Sequence, residues 1–138
     1  MRRVLFLVCA LLVPVIAPAQ TLVSPTSSVA FTPSSDHAAL NEDGSAVVTA
    51  YELRVMRFDN QTALFFTYAL GKPIPVSGEI IVGPISAFAT LTRAVQYVAR
   101  VAAVGPGGEG ISELSAPFVY PYAPPAVPGG PGAPRIVE

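Results

Sequence analysis

Few residues in this chain are equipped for chemistry, and their spacing limits what they can do. His37 is the sole histidine and stands beside Asp36, with Asn41, Glu42 and Asp43 a few positions on. An acid/base pair or a metal site is the chemistry to weigh there. One histidine with no cysteine nearby falls short of a zinc ligand set. The acidic residues lack the alternating spacing of a calcium loop. A solvated loop with Asx turns accounts for the same residues. Asp36 and His37 are therefore candidate contacts of a binding loop, and no metal or cofactor is expected.

Gly105-Pro106-Gly107-Gly108-Glu109-Gly110 satisfies the G-x-G-x-x-G pattern after a strand-like run. A pyrophosphate cradle needs a helix opening directly after the glycines. Ile111 to Pro117 is too short for one and ends in proline. The run reads instead as a hairpin loop, and Gly107, Gly108 and Glu109 form a second candidate contact loop. Ser112 and Ser115 follow it, but no Gly-x-Ser-x-Gly elbow is present to present a nucleophile. Glu52, Glu79, Glu109 and Glu113 are scattered rather than paired for glycoside hydrolysis. No catalytic constellation emerges, and the chain is not expected to be an enzyme.

Phe65, Phe66 and Tyr68 form an aromatic cluster. Alternation sends Phe66 and Tyr68 to one face and Phe65 to the other. Phe65 is then an exposed aromatic, either solitary or part of a sticky edge or sugar-stacking patch. Asn60-Gln61-Thr62 is a glycosylation sequon on an expected turn, which implies an exposed position.

These residues must be held by strands. From Leu91 to Gly105 the chain alternates, with Tyr97, Ala99, Val101 and Ala103 on one face and Gln96, Arg100 and Ala102 on the other. Val47 to Phe58 alternates likewise, with Val47, Thr49, Tyr51, Leu53 and Val55 sharing a face. Further strands are expected at Val29–Phe31, Ala63–Leu70, Glu79–Val82 and Leu114–Tyr120. Turns are expected at Ser34–Gly44, Asp59–Thr62 and Gly71–Pro75. Ile85–Leu91 is either strand or a single helical turn. Pro117 marks the last strand as an edge or a bulge. About seven short strands separated by Gly/Pro turns, with no helical periodicity, predict an all-β sandwich.

The ends differ in kind. Arg2 and Arg3, the apolar run Val4–Val13 and Ala17-Pro18-Ala19 read as a signal peptide over 1–19, with cleavage before Gln20. The run is about half the ~20 residues a spanning helix needs, so no stable membrane insertion is expected after cleavage. Residues 20–28 are a polar lead-in. Residues 120–138 are a Pro/Gly-rich tail that cannot bury apolar surface, expected to be extended and disordered. The single cysteine, Cys9, lies in the leader, so the exported chain has neither disulfide nor thiol chemistry. Eight basic residues face nine acidic ones, and two of the eight are Arg2 and Arg3. That balance excludes nucleic acid as a partner, because phosphate binding needs clustered Lys and Arg.

Leu91-x5-Tyr97-x-Ala99-x-Val101-x-Ala103, followed by Gly107-Gly108-Glu109-Gly110-Ile111-Ser112-Glu113-Leu114-Ser115, resembles a fibronectin type III domain. In that family a Leu opens the E–F turn, a Tyr begins strand F, and a Gly-x-Ser-x-x-Ser-like run leads into strand G. Tyr51 to Val55 resembles the family's strand C. Phe31-Thr32-Pro33 occupies the place of the family's Trp-x-Pro, with the tryptophan absent. The resemblance covers residues 29–119, an immunoglobulin-like sandwich of seven strands. It implies a tyrosine corner at Tyr97, with Leu91 beneath it. The family's stretch across Phe65 to Phe88 matches less closely, and the integrin-binding Arg-Gly-Asp is absent.

The resemblance implies a non-catalytic binding or spacer module, secreted, periplasmic or on the cell surface. It would recognise an extracellular protein or polysaccharide through loops or a sheet edge. The alternative is a structural subunit of an extracellular assembly that self-associates by edge-strand pairing or through its tail.

Overall fold

Alternation along two long segments builds the larger of two sheets. The computed structural model describes residues 20–121; the expected leader and the tail beyond Pro121 lie outside the described residues. The strands are β1 (Thr21–Leu22), β2 (Val29–Phe31), β3 (Ala50–Arg57), β4 (Asn60–Gly71), β5 (Ile80–Val82), β6 (Gln96–Gly105), β7 (Gly108–Ile111) and β8 (Phe118–Val119). The larger sheet runs β1-β8-β6-β3-β4, with β7 also paired to β6; the smaller holds β2 and β5. β1 runs parallel to β8, and the other pairings are antiparallel. The fold is all-β and sandwich-like.

β3 and β6 are in register from Ala50↔Val104 to Arg57↔Tyr97. That register stacks Tyr51, Leu53 and Val55 beside Tyr97 and Ala99 on the face toward the small sheet. Ile80 from β5, with Ile85, Phe88 and Leu91 from the segment before β6, closes the core against them. Burying each such side chain contributes about 1.5–3 kcal/mol. Leu53→Ala, leaving a cavity at the centre, would cost about 2–5 kcal/mol.

The far face of the large sheet departs from simple alternation. Met56 pairs with Val98, Arg54 with Arg100 and Glu52 with Ala102. Met56, Val98 and Ala102 are all buried although they lie outside the main core. Arginine stems cover apolar surface readily, and Arg54 and Arg100 stand in register between them.

Several expected boundaries move. The turn after β3 is Phe58–Asp59, so Asn60–Thr62 begins β4 rather than forming the turn; all three residues are exposed. Ile85–Leu91 resolves into a 3₁₀ turn at Ser86–Thr90. Thr21–Leu22, expected as polar lead-in, adds a short strand to the edge of the sheet. The strand expected at Leu114–Tyr120 is confined to β8, while β7 forms within and just after the run expected to be the glycine-rich loop, with Ser112–Pro117 between the two. Val48, not Val47 or Thr49, joins the core. The alternation of β3 begins only at Ala50, after a bend at Val47 that Gly105 leaves room for. A Cβ at Gly105 would collide with the Val47 carbonyl, so the chain passes tightly over the end of β6 before β3 begins. Thr49 anchors the crossing, its N–H and Oγ1 both donating to the Val104 carbonyl at 2.8 and 3.0 Å.

Candidate functional site

The two candidate loops meet at one end of the sandwich. The chain between β2 and β3 folds back over Tyr51, whose ring is buried beside Phe31 with centroids 5.1 Å apart. The Tyr51 hydroxyl accepts the Ser34 N–H at 3.2 Å and pairs with His37 Nδ1 at 2.9 Å. The two rings lie nearly parallel, 14° apart. His37 is thus engaged in pinning the loop. Asp36 stays exposed, its N–H bonded to Ser34 Oγ at 3.2 Å and its carbonyl accepting the Ala39 N–H. Asp43 closes the turn that follows, accepting from the Ser45 N–H and hydroxyl at 2.9 and 2.6 Å. Those hydrogen bonds hold its carboxyl below the ordinary value. Among the described residues no group of three or more His, Cys, Asp or Glu gathers to hold a metal.

β6 and β7 form a hairpin through Pro106-Gly107, so the glycine-rich run opens no helix. Asp36 and Asn41 share a hollow of about 330 Å³ with Gly107, Gly108 and Glu109. The fold therefore brings together Asp36, Gly107, Gly108 and Glu109. Glu109 also reaches the far face, where the two terminal guanidinium nitrogens of Arg54 donate to its carboxylate at 2.9 and 2.5 Å. Arg54 holds Glu52 as well, at 3.0 Å. The hydrogen bond from Arg54 keeps the Glu109 carboxyl below the usual glutamate range.

Tyr97 is completely buried, and its hydroxyl accepts the Thr92 N–H at 3.0 Å; Leu91 is buried beside the turn. Phe65 stands elsewhere than alternation places it. Its ring packs edge-on against Tyr97 at 5.1 Å, on the core side, as Phe66 does against Phe88. The cause is a register shift. Val55 pairs with Phe66 and Met56 with Leu64, leaving Phe65 as the extra residue of a bulge. A bulge of this kind turns two successive side chains to one side. Phe65 keeps 40% of its surface, but one edge of its ring is committed to the core.

A larger concavity opens along one side of the sandwich. β2 pairs with β5 on one edge, and among the described residues no strand lies along its other edge. Facing that edge is the Ser112–Pro117 segment. Three hollows of about 400, 200 and 330 Å³ follow one another between the two. They share Phe31, Val101 and Ser112 at one junction and Val29, Leu53 and Ala99 at the next. The floor is the apolar face of β3 and β6, and Ile111 and Leu114 stand exposed at the rim.

Compared with family models, curated proteins and solved structures, the chain matches none.

The wall of this groove is built by Ser112 and Ser115, the two serines of the Gly-x-Ser-x-x-Ser run. Ser112 Oγ accepts the Val101 N–H at 2.9 Å and Ser115 Oγ accepts the Ala99 N–H at 3.0 Å. The serine N–H groups donate back to the same two residues' carbonyls. Each hydroxyl donates to the carbonyl of the following residue, Glu113 and Ala116. Both serines are therefore ladder elements. The Ser-x-x-Ser spacing against positions two apart on β6 is the signal: three residues must cover the span of two, so one loops out.

Proposed function

We propose that the chain is an exported, non-catalytic binding module built as a fibronectin type III-like sandwich, which takes an extended segment of a partner protein into its open side. The observation that carries this reading is the free edge of β2 beside a continuous apolar groove. Such an edge offers unpaired backbone groups, and the groove below it offers successive pockets for alternate side chains. That is the geometry of recognition by strand addition. The Tyr97–Thr92 hydrogen bond and the division of strands between the two sheets support the fibronectin type III reading. The state of the reactive side chains supports a non-catalytic role, since His37, Asp43, Ser112 and Ser115 each have a structural partner. A peptide fits better than a polysaccharide, because Phe65 spends part of its ring on Tyr97.

Selection of twelve-residue peptides displayed at random against the purified chain tests this. Enriched peptides should alternate apolar residues at period two. They should bind Ile111→Lys and Ala30→Lys, both exposed positions along the groove, at least about tenfold more weakly. Enriched peptides that bind both folded variants unchanged would contradict the reading, as would a selection that enriches none.

A further inference from the structure

β4 is the opposite boundary of the large sheet from the groove. It pairs with β3 along one edge, and among the described residues no strand lies along the other. Proteins keep such edges from pairing by brevity, charge, proline or bulges. Other edges here follow that rule: β5 has three residues, and β7 carries Glu109. β4 has twelve residues, with neither charge nor proline among them; its irregularities are register shifts against β3, one of them the bulge at Phe65. A ladder of that length spans about 40 Å. Charge returns only at the flanking positions, Asp59 before the strand and Lys72 after it. We propose that β4 pairs with β4 of a second copy, antiparallel about a twofold axis, with Asp59 of each copy opposite Lys72 of the other.

Two observations select this arrangement. The first is charge. A parallel pairing would set Asp59 against Asp59 and Lys72 against Lys72, and like charges directly opposite are destabilising. The antiparallel pairing makes two opposite-charge contacts instead. Asp59 already holds Arg57 at 2.8 Å, and with its side chain 64% exposed it has room for a second cation.

The second observation is the bulge. Opposed residues in a ladder must share a face, and a one-residue slip reverses every side chain. In an unbroken strand, the register that matches Asp59 with Lys72 would oppose core-side residues to far-side residues. The extra residue at Phe65 shifts the alternation by one. Leu64 then lies on the far side with Met56, and Thr67 on the far side with Arg54. In the proposed register Leu64 falls opposite Thr67 and Phe65 opposite Phe66, each on matching faces. The exposed Leu64 and Phe65, at 52% and 40%, are covered near the axis. The complementarity is internal to one strand, which makes a second copy the fitting occupant. Because β4 and β7 lie on opposite sides of the sheet, this association is independent of groove binding.

Sedimentation equilibrium of the purified chain from about 1 µM to 1 mM tests the proposal. The wild type should show a monomer–dimer equilibrium in that range. Thr67→Lys, which puts a charge inside the ladder, should weaken association at least about tenfold. Lys72→Glu should weaken it about fivefold, and adding Asp59→Lys should restore it to within about twofold. Far-UV circular dichroism and the thermal midpoint report folding. Should Thr67→Lys unfold the chain, the charge exchange outside the strand carries the test. A monomer throughout the range overturns the proposal, as does a dimer that Lys72→Glu leaves unchanged.

Discussion

The Ser115 hydroxyl accepts the Ala99 N–H at 3.0 Å, a side chain standing in for a backbone carbonyl in the ladder beside β6. Ser112 does the same for Val101. Without these hydroxyls two N–H groups of the central strand lose their partners just where the sheet borders the groove. Losing one such bond costs about 1–2 kcal/mol. Ser112→Ala and Ser115→Ala should each lower the urea midpoint accordingly, with Thr at either position recovering most of the loss. An unchanged midpoint in both would remove the serines from the ladder.

Tyr97 contributes in a comparable way at the other end of β6. Tyr97→Phe retains the ring's packing against Phe65 and Phe118 and removes only the acceptor of the Thr92 N–H. Denaturation should show a loss of about 1–3 kcal/mol. The same amide should exchange faster with solvent in the variant, a change that altered packing elsewhere would not localise to residue 92.

Glu109 joins the tip of the β6–β7 hairpin to Arg54 on β3. The hydrogen bond from Arg54 depresses its folded-state pKa, so the proton binds more weakly in the folded chain than in the unfolded one. The stabilisation is therefore present above the ordinary glutamate value of 4.5 and is lost as pH falls through the lower, folded value. A carboxyl-carbon titration by NMR should place Glu109 below the ordinary value in the wild type and return it upward in Arg54→Gln. Coincident titrations in the two proteins would contradict the pairing. Asp59 beside Arg57 titrates with the same sign.

Much of this fold is legible from period-two alternation. β3 and β6 carry it most clearly, because each has one face on the core and pairs with the other along its whole length. The meeting of Asp36 with Gly107, Gly108 and Glu109 follows from the topology that such strands imply. The bulge at Phe65 is not legible in the same way, because it depends on how two strands register and not on either strand's own pattern. The burial of Met56, Val98 and Ala102 is hidden for a related reason: arginines beside apolar residues read as a solvated face until the strands are aligned. Arg54 and Glu109 are far apart in sequence, and nothing local in either marks the other as its partner. The open side of the sandwich is a relation between β2 and Ser112–Pro117, which no single segment displays.

The open side is the centre of the account, and amide hydrogen exchange with a selected peptide tests it most directly. With peptide bound, exchange should slow in Val29–Phe31 and at the groove rim across Ile111–Ser115, while the Asp36–Gly44 and Pro106–Glu109 loops exchange as before. Slowing confined to those two loops, with Val29–Phe31 unchanged, would contradict it and place recognition at the end of the sandwich instead.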